Sequence, residues 1–334
     1  MVVRGNPDGA AMSLDTLLAQ FDQKLANFDV LIEPSLKSKP RTPFDSDLPT
    51  DKISMANLTL RQMMSILPIM IPFQINMRRG GTLYDEPFEP TRSEASEEFL
   101  SELRSAAMEL GATDVKYVNV PNNAIFQNKG IPHKSAILFT IEMDAEKIAS
   151  APSFEAMREV VKGYRNLAEI SLKLSMMLRD QGFAAYPGTA LGGLTDYCYL
   201  AEIAGIGANG YHGLLITPNG GSRVRINAIY TNITNLPVAG ENDHLWIRDL
   251  CAMCKQCIRQ CPPKAIYDQP KPRGDGGMQC IDHDLCRDYF QSNFGCAVCI
   301  AVCPFSRVGY DEIKTHFKGN PTAPYYKIPA ADLD

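Results

Sequence analysis

The sequence predicts an α+β fold that ends in a cysteine-rich segment, and three observations lead to this prediction. Apolar residues recur at helical spacing in several segments, of which residues 153–179 form the longest. Runs rich in β-branched and aromatic residues lie between these segments, without the strand–helix–strand alternation of a parallel α/β protein. All of the cysteines except Cys198 follow residue 250.

Three helices are predicted in the first half of the chain. Apolar spacing over residues 14–28 indicates an amphipathic helix, which precedes an irregular proline-rich stretch at residues 34–49. A second helix is predicted over residues 96–111. The long third helix covers residues 153–179, and Gly182 is its stop signal.

Four strands are predicted around the long helix. Residues 115–120 and 136–143 have the composition of strands. Residues 214–217 and 224–231 are two further strands, and the Pro-Asn-Gly-Gly sequence at residues 218–221 between them is typical of a turn. We therefore expect these two strands to form a β-hairpin.

The chain of 334 residues is predicted to have four parts. Residues 1–92 form an N-terminal extension that covers a pocket, and residues 93–242 form the core. Residues 243–310 form the cysteine module, and residues 311–334 form a C-terminal tail. The most apolar stretch, residues 63–73, is too short to span a bilayer and contains two prolines, which predicts a buried or pocket-lining segment and no membrane anchor.

The net charge and the N-terminal sequence limit which partners and which cellular location are expected for the protein. A formal net charge of −5 gives no basic surface for nucleic acid, so no nucleic-acid partner is expected. The N-terminal residues contain no twin arginine and no apolar run that is typical of a secretion signal. We therefore predict a cytoplasmic protein.

The cysteines form two runs with the spacing of bacterial ferredoxins. The first run reads C-x2-C-x2-C-x3-C-P, in which three thiolates hold one 4Fe-4S cluster and the fourth belongs to a second cluster. The second run, C-x2-C-x3-C-P, lacks one ligand, and Cys286 is the nearest free thiol that could supply it. One cluster is therefore assigned to Cys251, Cys254, Cys257 and Cys303, and the other to Cys261, Cys286, Cys296 and Cys299.

Zinc sites and disulfides are the alternatives for these cysteines. Zinc sites pair two C-x2-C hairpins across a spacer, and disulfides need an oxidising compartment, so neither explains two runs with cluster spacing and a following proline. Two cysteines are left over. We interpret Cys198 as a small buried apolar residue, whereas Cys280 is a weaker competitor for the role of Cys286.

A glycine motif at residues 205–210 matches the dinucleotide-binding pattern G-x-G-x-x-G. That fingerprint requires a strand before it, a helix after it and an acidic residue about 20 positions later. Here a helix-like segment precedes the motif, a strand follows it, and residues 224–227 read Val-Arg-Ile-Asn. We interpret the glycines as allowing close approach of the backbone to another flat or phosphate-bearing ligand, and turn formation is an equal alternative.

The ordered combination of several motifs resembles the corrinoid-dependent reductive dehalogenases. The combination comprises Gly-Tyr-Arg at residues 163–165, the segment LRDQGFAA at 178–185, the segment AGIGANGYHGLLITPNGG at 204–221 and the two cysteine runs. The resemblance extends over residues 95–310. Epoxyqueuosine reductase is a more distant relative that shares the glycine segment and the two cysteine runs.

This resemblance implies a nitroreductase-like core that binds cobalamin, followed by a ferredoxin-like module with two 4Fe-4S clusters. An external low-potential donor such as ferredoxin or flavodoxin would supply electrons for removing halogen from a small organic substrate. The histidine signature D-x-H-x-x-G is absent from the sequence, so cobalamin is expected base-off. Backbone and small residues would hold it, and the candidates are Gly205, Gly207, Gly210, Gly213, Thr217 and Gly221.

The same resemblance points to Tyr164 as the proton donor. A neighbouring cation would favour its phenolate form, and Arg223 and Arg225 are candidates because alternation places them on one face of a strand. Helical periodicity alone favours a core tyrosine, and a solvated strand face is an equal explanation for the arginines.

Two other functions stay open. The chain could be a corrinoid reductase of a non-halogenated substrate, in the manner of the epoxyqueuosine reductases. It could also be a two-cluster electron-transfer protein, although more than 200 residues precede the clusters, which is far more than such a protein needs.

Overall fold

The computed structural model describes residues 3–4, 11–12, 23–25, 28, 31–34, 49–190, 192–238, 240–272 and 278–317. The strands are β1 (Val3–Arg4), β2 (Ala11–Met12), β3 (Asp114–Asn119), β4 (Ser135–Glu142), β5 (Ala185–Pro187), β6 (Ala208–Asn209), β7 (Leu215–Ile216), β8 (Val224–Thr231), β9 (Ile266–Pro272) and β10 (Met278–Ile281). The helices are α1 (Leu60–Thr82), α2 (Glu97–Glu109), α3 (Ala145–Ala149), α4 (Phe154–Asp180), α5 (Tyr197–Ile203), α6 (Trp246–Cys254), α7 (Gln256–Gln260), α8 (His283–Ser292), α9 (Val298–Ala301), α10 (Pro304–Arg307) and α11 (Tyr310–His316). Most of the predicted helix at 14–28 and of the proline-rich stretch lies outside the described residues.

A four-stranded antiparallel sheet with the order β3-β4-β8-β5 forms the frame of the fold. Successive side chains of a strand point to opposite faces. In β4, Ile137 and Phe139 therefore join one apolar core together with helices α1, α2 and α4. Ala136 and Leu138 join a second core on the other face, which includes helix α5. The predicted mixture of helices and strands is confirmed, and the two cores on opposite faces explain why all but the end residues of β4 are buried.

The long helix α4 has clear boundaries in the sequence. The hydroxyl of Ser153 accepts a hydrogen bond from the backbone N–H of Ala156 and caps the first turn. Gly182 has a φ of +85°, which a side chain disfavours, and it ends the last turn. The predicted helix over 153–179 is thus confirmed to within one residue at each end.

Residues 63–73, predicted as a buried or pocket-lining segment, lie within helix α1, which packs along α4. Ile66, Ile69 and Phe73 are buried between the two helices. Met64 and Ile71 lie on the opposite face and are 61% and 54% exposed. Only half of this apolar segment is therefore buried. Among the described helices, none is both long enough and apolar enough to cross a bilayer.

The predicted hairpin of residues 214–231 is wrong. Strand β7 pairs with β6, whereas β8 pairs with β4 on one edge and β5 on the other. Because both edges of β8 already have partners, β7 cannot pair with it. The turn at 218–221 closes on itself, with Thr217 and Gly221 as bridge partners.

The three residues just before β8 join the sheet to the cysteine module. A Cβ atom at Gly221 would lie 2.1 Å from the carbonyl oxygen of Phe305, so only glycine allows this approach. The hydroxyl of Ser222 lies 2.8 Å from that of Ser306, and Nε of Arg223 donates to the carbonyl oxygen of Ser306 at 3.1 Å. These contacts, called the module joint below, hold helix α10 against the sheet.

Substitution of Gly221 tests the module joint. In Gly221→Ala, the new Cβ collides with the Phe305 carbonyl, and the φ of +56° becomes unfavourable. We expect the free energy of unfolding, measured by anaerobic urea denaturation of the iron-loaded protein, to fall by more than about 2 kcal/mol.

Gly240→Ala is the matched control, because no atom lies within 4 Å of the position of its new Cβ. It should change the free energy of unfolding by less than about 0.5 kcal/mol. Equal stability of the two variants would contradict this account of the joint.

Candidate functional site

The first set of thiols surrounds a single cavity. Cys251 and Cys254 lie one turn apart at the end of helix α6. Lys255 has a left-handed backbone (φ 48°), which ends α6 and lets α7 begin at once. The cavity is lined by Cys251, Cys254, Cys257 and Cys303, together with His212, Ile216, Leu250, Lys255, Gln256, Pro304 and Phe305. The structure therefore brings together the four cysteines that the spacing assigns to one cluster.

The second set of thiols also lies close together. The pKa of the Cys299 thiol is raised well above its usual value, first by burial and then by the charges of neighbouring thiols. Those neighbours are Cys257, Cys296, Cys286 and Cys261. Burial, Cys296 and Cys261 raise the pKa of Cys286 to about 11. Cys286 thus lies among the thiols of the second predicted set.

The raised pKa values indicate the condition under which these thiols can bind a metal. Burial raises the pKa of Cys303 to about 11, although a hydrogen bond with Ser222 partly offsets this effect. A buried thiol must lose its proton to bind iron, and the positive charge of the metal makes this loss favourable. Both sets therefore need a neighbouring positive charge to be deprotonated, and their role as ligands of 4Fe-4S clusters stays a prediction. In the part of the chain that the structure describes, no group of three His, Cys, Asp or Glu side chains is arranged to hold a metal ion.

The two leftover cysteines lie apart from the second set. Cys280 in strand β10 is buried, and its thiol lies 3.9 Å from the carbonyl oxygen of Gly210. The charge of the Cys280 thiolate is one of the causes that raise the pKa of Cys251, so Cys280 lies near the first set of thiols. Cys198 is half-buried against the second apolar core. The geometry therefore favours Cys286 over Cys280 as the eighth ligand.

The glycine segment, residues 205–221, packs mainly against protein. A Cβ atom at Gly207 would lie 2.1 Å from the carbonyl oxygen of Ile216, and one at Gly210 would lie 2.7 Å from the Ile216 side chain. Gly213 packs against the Cβ atom of Cys280. The hydroxyl of Thr217 accepts a hydrogen bond from the backbone N–H of Gly220. Close packing explains these glycines without a ligand, and their contact with cobalamin stays a prediction.

The surroundings of the glycine motif agree with the sequence argument against a dinucleotide site. Helix α5 precedes the motif, Gly205 follows its end with a φ of +69°, and the short strand β6 lies inside the motif. A dinucleotide fingerprint needs the reverse order, a strand and then a helix.

Tyr164 and Arg225 lie together between helix α4 and strand β8. The guanidinium carbon of Arg225 lies 4.9 Å from the centroid of the Tyr164 ring. A Cβ atom at Gly163 would lie only 3.2 Å from Cγ of Arg225. Glycine at this position therefore leaves room for the Arg225 side chain to pack across helix α4 and reach Tyr164. The Nε atom of Arg225 is buried and has no hydrogen-bond partner among the residues that the structure describes. A cation therefore lies against the face of the predicted proton donor.

Arg223 lies in a different environment, although it shares a strand face with Arg225. Its Nη1 atom donates to the Glu142 carboxylate and to the carbonyl oxygen of Met143, each at 2.6 Å. Its Nε atom donates to Ser306 in the module joint. The structure brings Arg225 to Tyr164 and places Arg223 in the joint; a catalytic role for Arg223 stays a prediction.

A small cavity between α1, α4 and the end of β5 was missed by sequence reasoning. Thr189 is buried and its hydroxyl has no partner in the described part of the chain, while Asn227 of β8 donates to the carbonyl oxygen of Gly188 at 3.2 Å. The cavity is lined by Asn76, Met77, Gly80, Gly81, Ala168, Ser171, Pro187, Gly188 and Thr189. Its volume of about 30 Å³ is enough to hold a water molecule.

His212 was also missed. The residue is 4% exposed and lines the cavity of the first thiol set. Burial lowers the pKa of its imidazole to about 4. The only signal in the sequence is a histidine inside the glycine segment, and that signal does not show that the cysteines lie beside it.

Comparison with known proteins identifies relatives over part of the chain. No family profile matches the chain. It is 33% identical over 192 residues to the tetrachloroethene reductive dehalogenase of Dehalobacter restrictus, and 29% identical over 183 residues to that of Sulfurospirillum multivorans. It is also 33% identical over 133 residues to the epoxyqueuosine reductase of Listeria monocytogenes. These matches cover 54%, 52% and 36% of the chain, and 34%, 36% and 31% of the relatives.

A solved structure has a similar fold. The catabolic reductive dehalogenase NpRdhA, in complex with 3-bromo-4-hydroxybenzoic acid, superposes with a TM-score of 0.63 at 20% identity. The match covers 72% of this chain and 37% of that protein. The resemblance to reductive dehalogenases that the motifs predict is thus confirmed, with epoxyqueuosine reductase as the more distant relative. The chain spans about a third of the length of the curated relatives it matches.

Substitution of single cysteines tests the assignment of the eighth ligand. Cys286→Ser removes a predicted ligand of the second cluster, so iron bound after anaerobic reconstitution should fall from about eight to about four atoms per chain. Cys280→Ser is the matched control and should keep about eight. Loss of iron from Cys280→Ser, with full iron in Cys286→Ser, would contradict the assignment.

Proposed function

We propose that this chain performs the reductive dehalogenation of a small organic halide, with cobalamin and two 4Fe-4S clusters as cofactors. The reaction is R–X plus two electrons and a proton, which gives R–H and halide. Its relatives named tetrachloroethene reductive dehalogenase and the fold shared with NpRdhA support this function. The epoxyqueuosine reductases match a shorter part of the chain.

The observation that carries the proposal is the position of β8. The two residues immediately before it, Ser222 and Arg223, bind the cysteine module, and Arg225, the second residue of the strand, lies over Tyr164. Two residues of a strand span only about 7 Å. A single strand therefore connects the module that would carry electrons to the residue that would deliver the proton.

The proposed architecture has two parts. Residues 93–242 form a nitroreductase-like core, which the antiparallel sheet and its covering helices support. Residues 243–310 form a ferredoxin-like module, which the two thiol sets support. The clusters would receive single electrons from an external low-potential donor such as ferredoxin or flavodoxin.

Two buried polar atoms of the core fit the chemistry of a corrinoid. The hydroxyl of Thr189 and Nε of Arg225 have no partner among the residues that the structure describes, and the amides at the edge of a corrinoid ring could satisfy such atoms. We propose that backbone groups of the glycine segment, including Gly205, Gly207, Gly210, Gly213, Thr217 and Gly221, provide the remaining contacts. Cobalamin, when bound, would supply the strong reductant for the carbon–halogen bond.

Tyr164 would deliver the proton, and Arg225 would hold its ring in place. The Tyr164 hydroxyl can donate its proton where the halide leaves, because the residue is only half-buried. The guanidinium of Arg225 lies against the face of this ring. The positive charge of the guanidinium would attract a departing halide. In this mechanism Arg223 positions β8 against the module and does not move a proton.

Reconstitution with both cofactors tests the function directly. The chain would be loaded anaerobically with iron, sulfide and cobalamin, reduced with a strong chemical reductant, and offered tetrachloroethene and 3-bromo-4-hydroxybenzoic acid as probes. We expect about eight irons and one cobalt per chain, and release of chloride or bromide. Iron without cobalt would support the electron-transfer alternative. Cobalt and iron without halide release would favour a non-halogenated substrate.

Tyr164→Phe isolates the proton-donating step. The variant keeps the ring beneath Arg225 and loses only the hydroxyl. We expect halide release to fall by about 10²- to 10⁴-fold, the usual value of a positioned acid, with unchanged iron and cobalt content.

Tyr199→Phe is the control, because Tyr199 is a half-buried tyrosine that packs on the opposite face of the sheet. It should retain full activity. Halide release by Tyr164→Phe at the rate of the unmodified chain would exclude Tyr164 as the donor.

A further inference from the structure

His212 lies where the glycine segment meets the cysteine module. It lines the cavity surrounded by Cys251, Cys254, Cys257 and Cys303. A Cβ atom at Gly210 would lie 3.1 Å from Cε1 and 3.4 Å from Nε2 of the imidazole, so the absence of a side chain at Gly210 makes room for the ring. The histidine is thus built into the wall of a cluster site.

One hydrogen bond determines where the imidazole proton lies. The backbone N–H of Leu214 lies 3.1 Å from Nδ1 of His212. A backbone N–H can only donate, so Nδ1 is the acceptor and holds no proton. In the neutral ring the proton is then on Nε2, and Nε2–H is a donor.

This donor has no protein partner. Nε2 of His212 is buried, and no acceptor in the described part of the chain lies within hydrogen-bond distance. Buried donors in folded proteins are almost always paired, so an acceptor that is not a protein atom is expected next to Nε2. The cavity that His212 shares with four thiols would hold a cluster whose sulfur atoms are anionic acceptors.

We propose that His212 donates an Nε2–H···S hydrogen bond to the cluster held by Cys251, Cys254, Cys257 and Cys303 and so raises the reduction potential of that cluster. Four thiolates already occupy the four iron positions, so the histidine is a hydrogen-bond donor and not a ligand. Reduction adds negative charge to the sulfurs, and a fixed donor stabilises the reduced form more than the oxidised form. The inference rests on the clusters of the proposed function, and it is independent of cobalamin and of the substrate.

A redox titration of the iron-loaded chain, followed by electron paramagnetic resonance, tests the proposal. In His212→Phe the equilibrium constant for reducing the first cluster should fall about tenfold, which is about 59 mV for one electron. His212→Gln keeps an N–H donor and should recover part of this shift. The second cluster in the same molecule is an internal reference and should keep its potential.

His133→Phe is the matched control, because His133 is a half-buried histidine that packs against Tyr186, outside the cysteine module. Its clusters should titrate like those of the unmodified chain. If His212→Phe contains both clusters and titrates like His133→Phe, the proposal is overturned.

Pulsed paramagnetic resonance gives a second test, in which the main result comes from the unmodified chain. With ¹⁵N-labelled histidine, the reduced first cluster should show a weak nitrogen coupling, which His212→Gln should lack. A strong coupling would show direct iron ligation, and no coupling would show no contact; either result overturns the hydrogen bond. A chain that binds no iron would overturn the cluster proposal itself, which separates the two failures.

Discussion

The close contact between Gly221 and Phe305 is the constraint on which the rest of the site depends. Any side chain at Gly221 would occupy the position of the Phe305 carbonyl oxygen. The contact places Ser222 beside Ser306 and within hydrogen-bond reach of the Cys303 thiol. Because Cys303 belongs to the second cysteine run and completes the first thiol set, the joint brings a thiol of the second run to the first set.

Strand β8 combines a structural and a chemical role. Pairing on both edges makes it rigid, and the two residues just before it bind the cysteine module while Arg225 lies over Tyr164. Rigid elements hold reacting groups more precisely than loops do. The same rigidity explains why Arg223 and Arg225, two residues apart on one strand face, keep separate sets of partners.

Burial of the thiols gives the module its electrostatic character. Desolvation and neighbouring thiols raise the pKa of most of these cysteines, so without metal the protonated forms are favoured. Iron reverses this preference, since its positive charge compensates the thiolates. A hydrogen-bond donor such as His212 interacts strongly with a charged group in this environment, because little solvent is present to screen the interaction.

The sequence by itself determined helices α2 and α4 and the longer strands and indicated the thiol sets, because these are local patterns. Caps and glycine stops define α4, cysteine spacing assigns Cys303 to the first set, and closeness along the chain assigns Cys286 to the second. Only the tertiary structure decided which edges pair, so β7 pairs with β6 and not with β8. It also decided that Arg225 and not Arg223 meets Tyr164, and that His212 lies among the cysteines. These choices depend on contacts between segments distant in the chain, which no local pattern records.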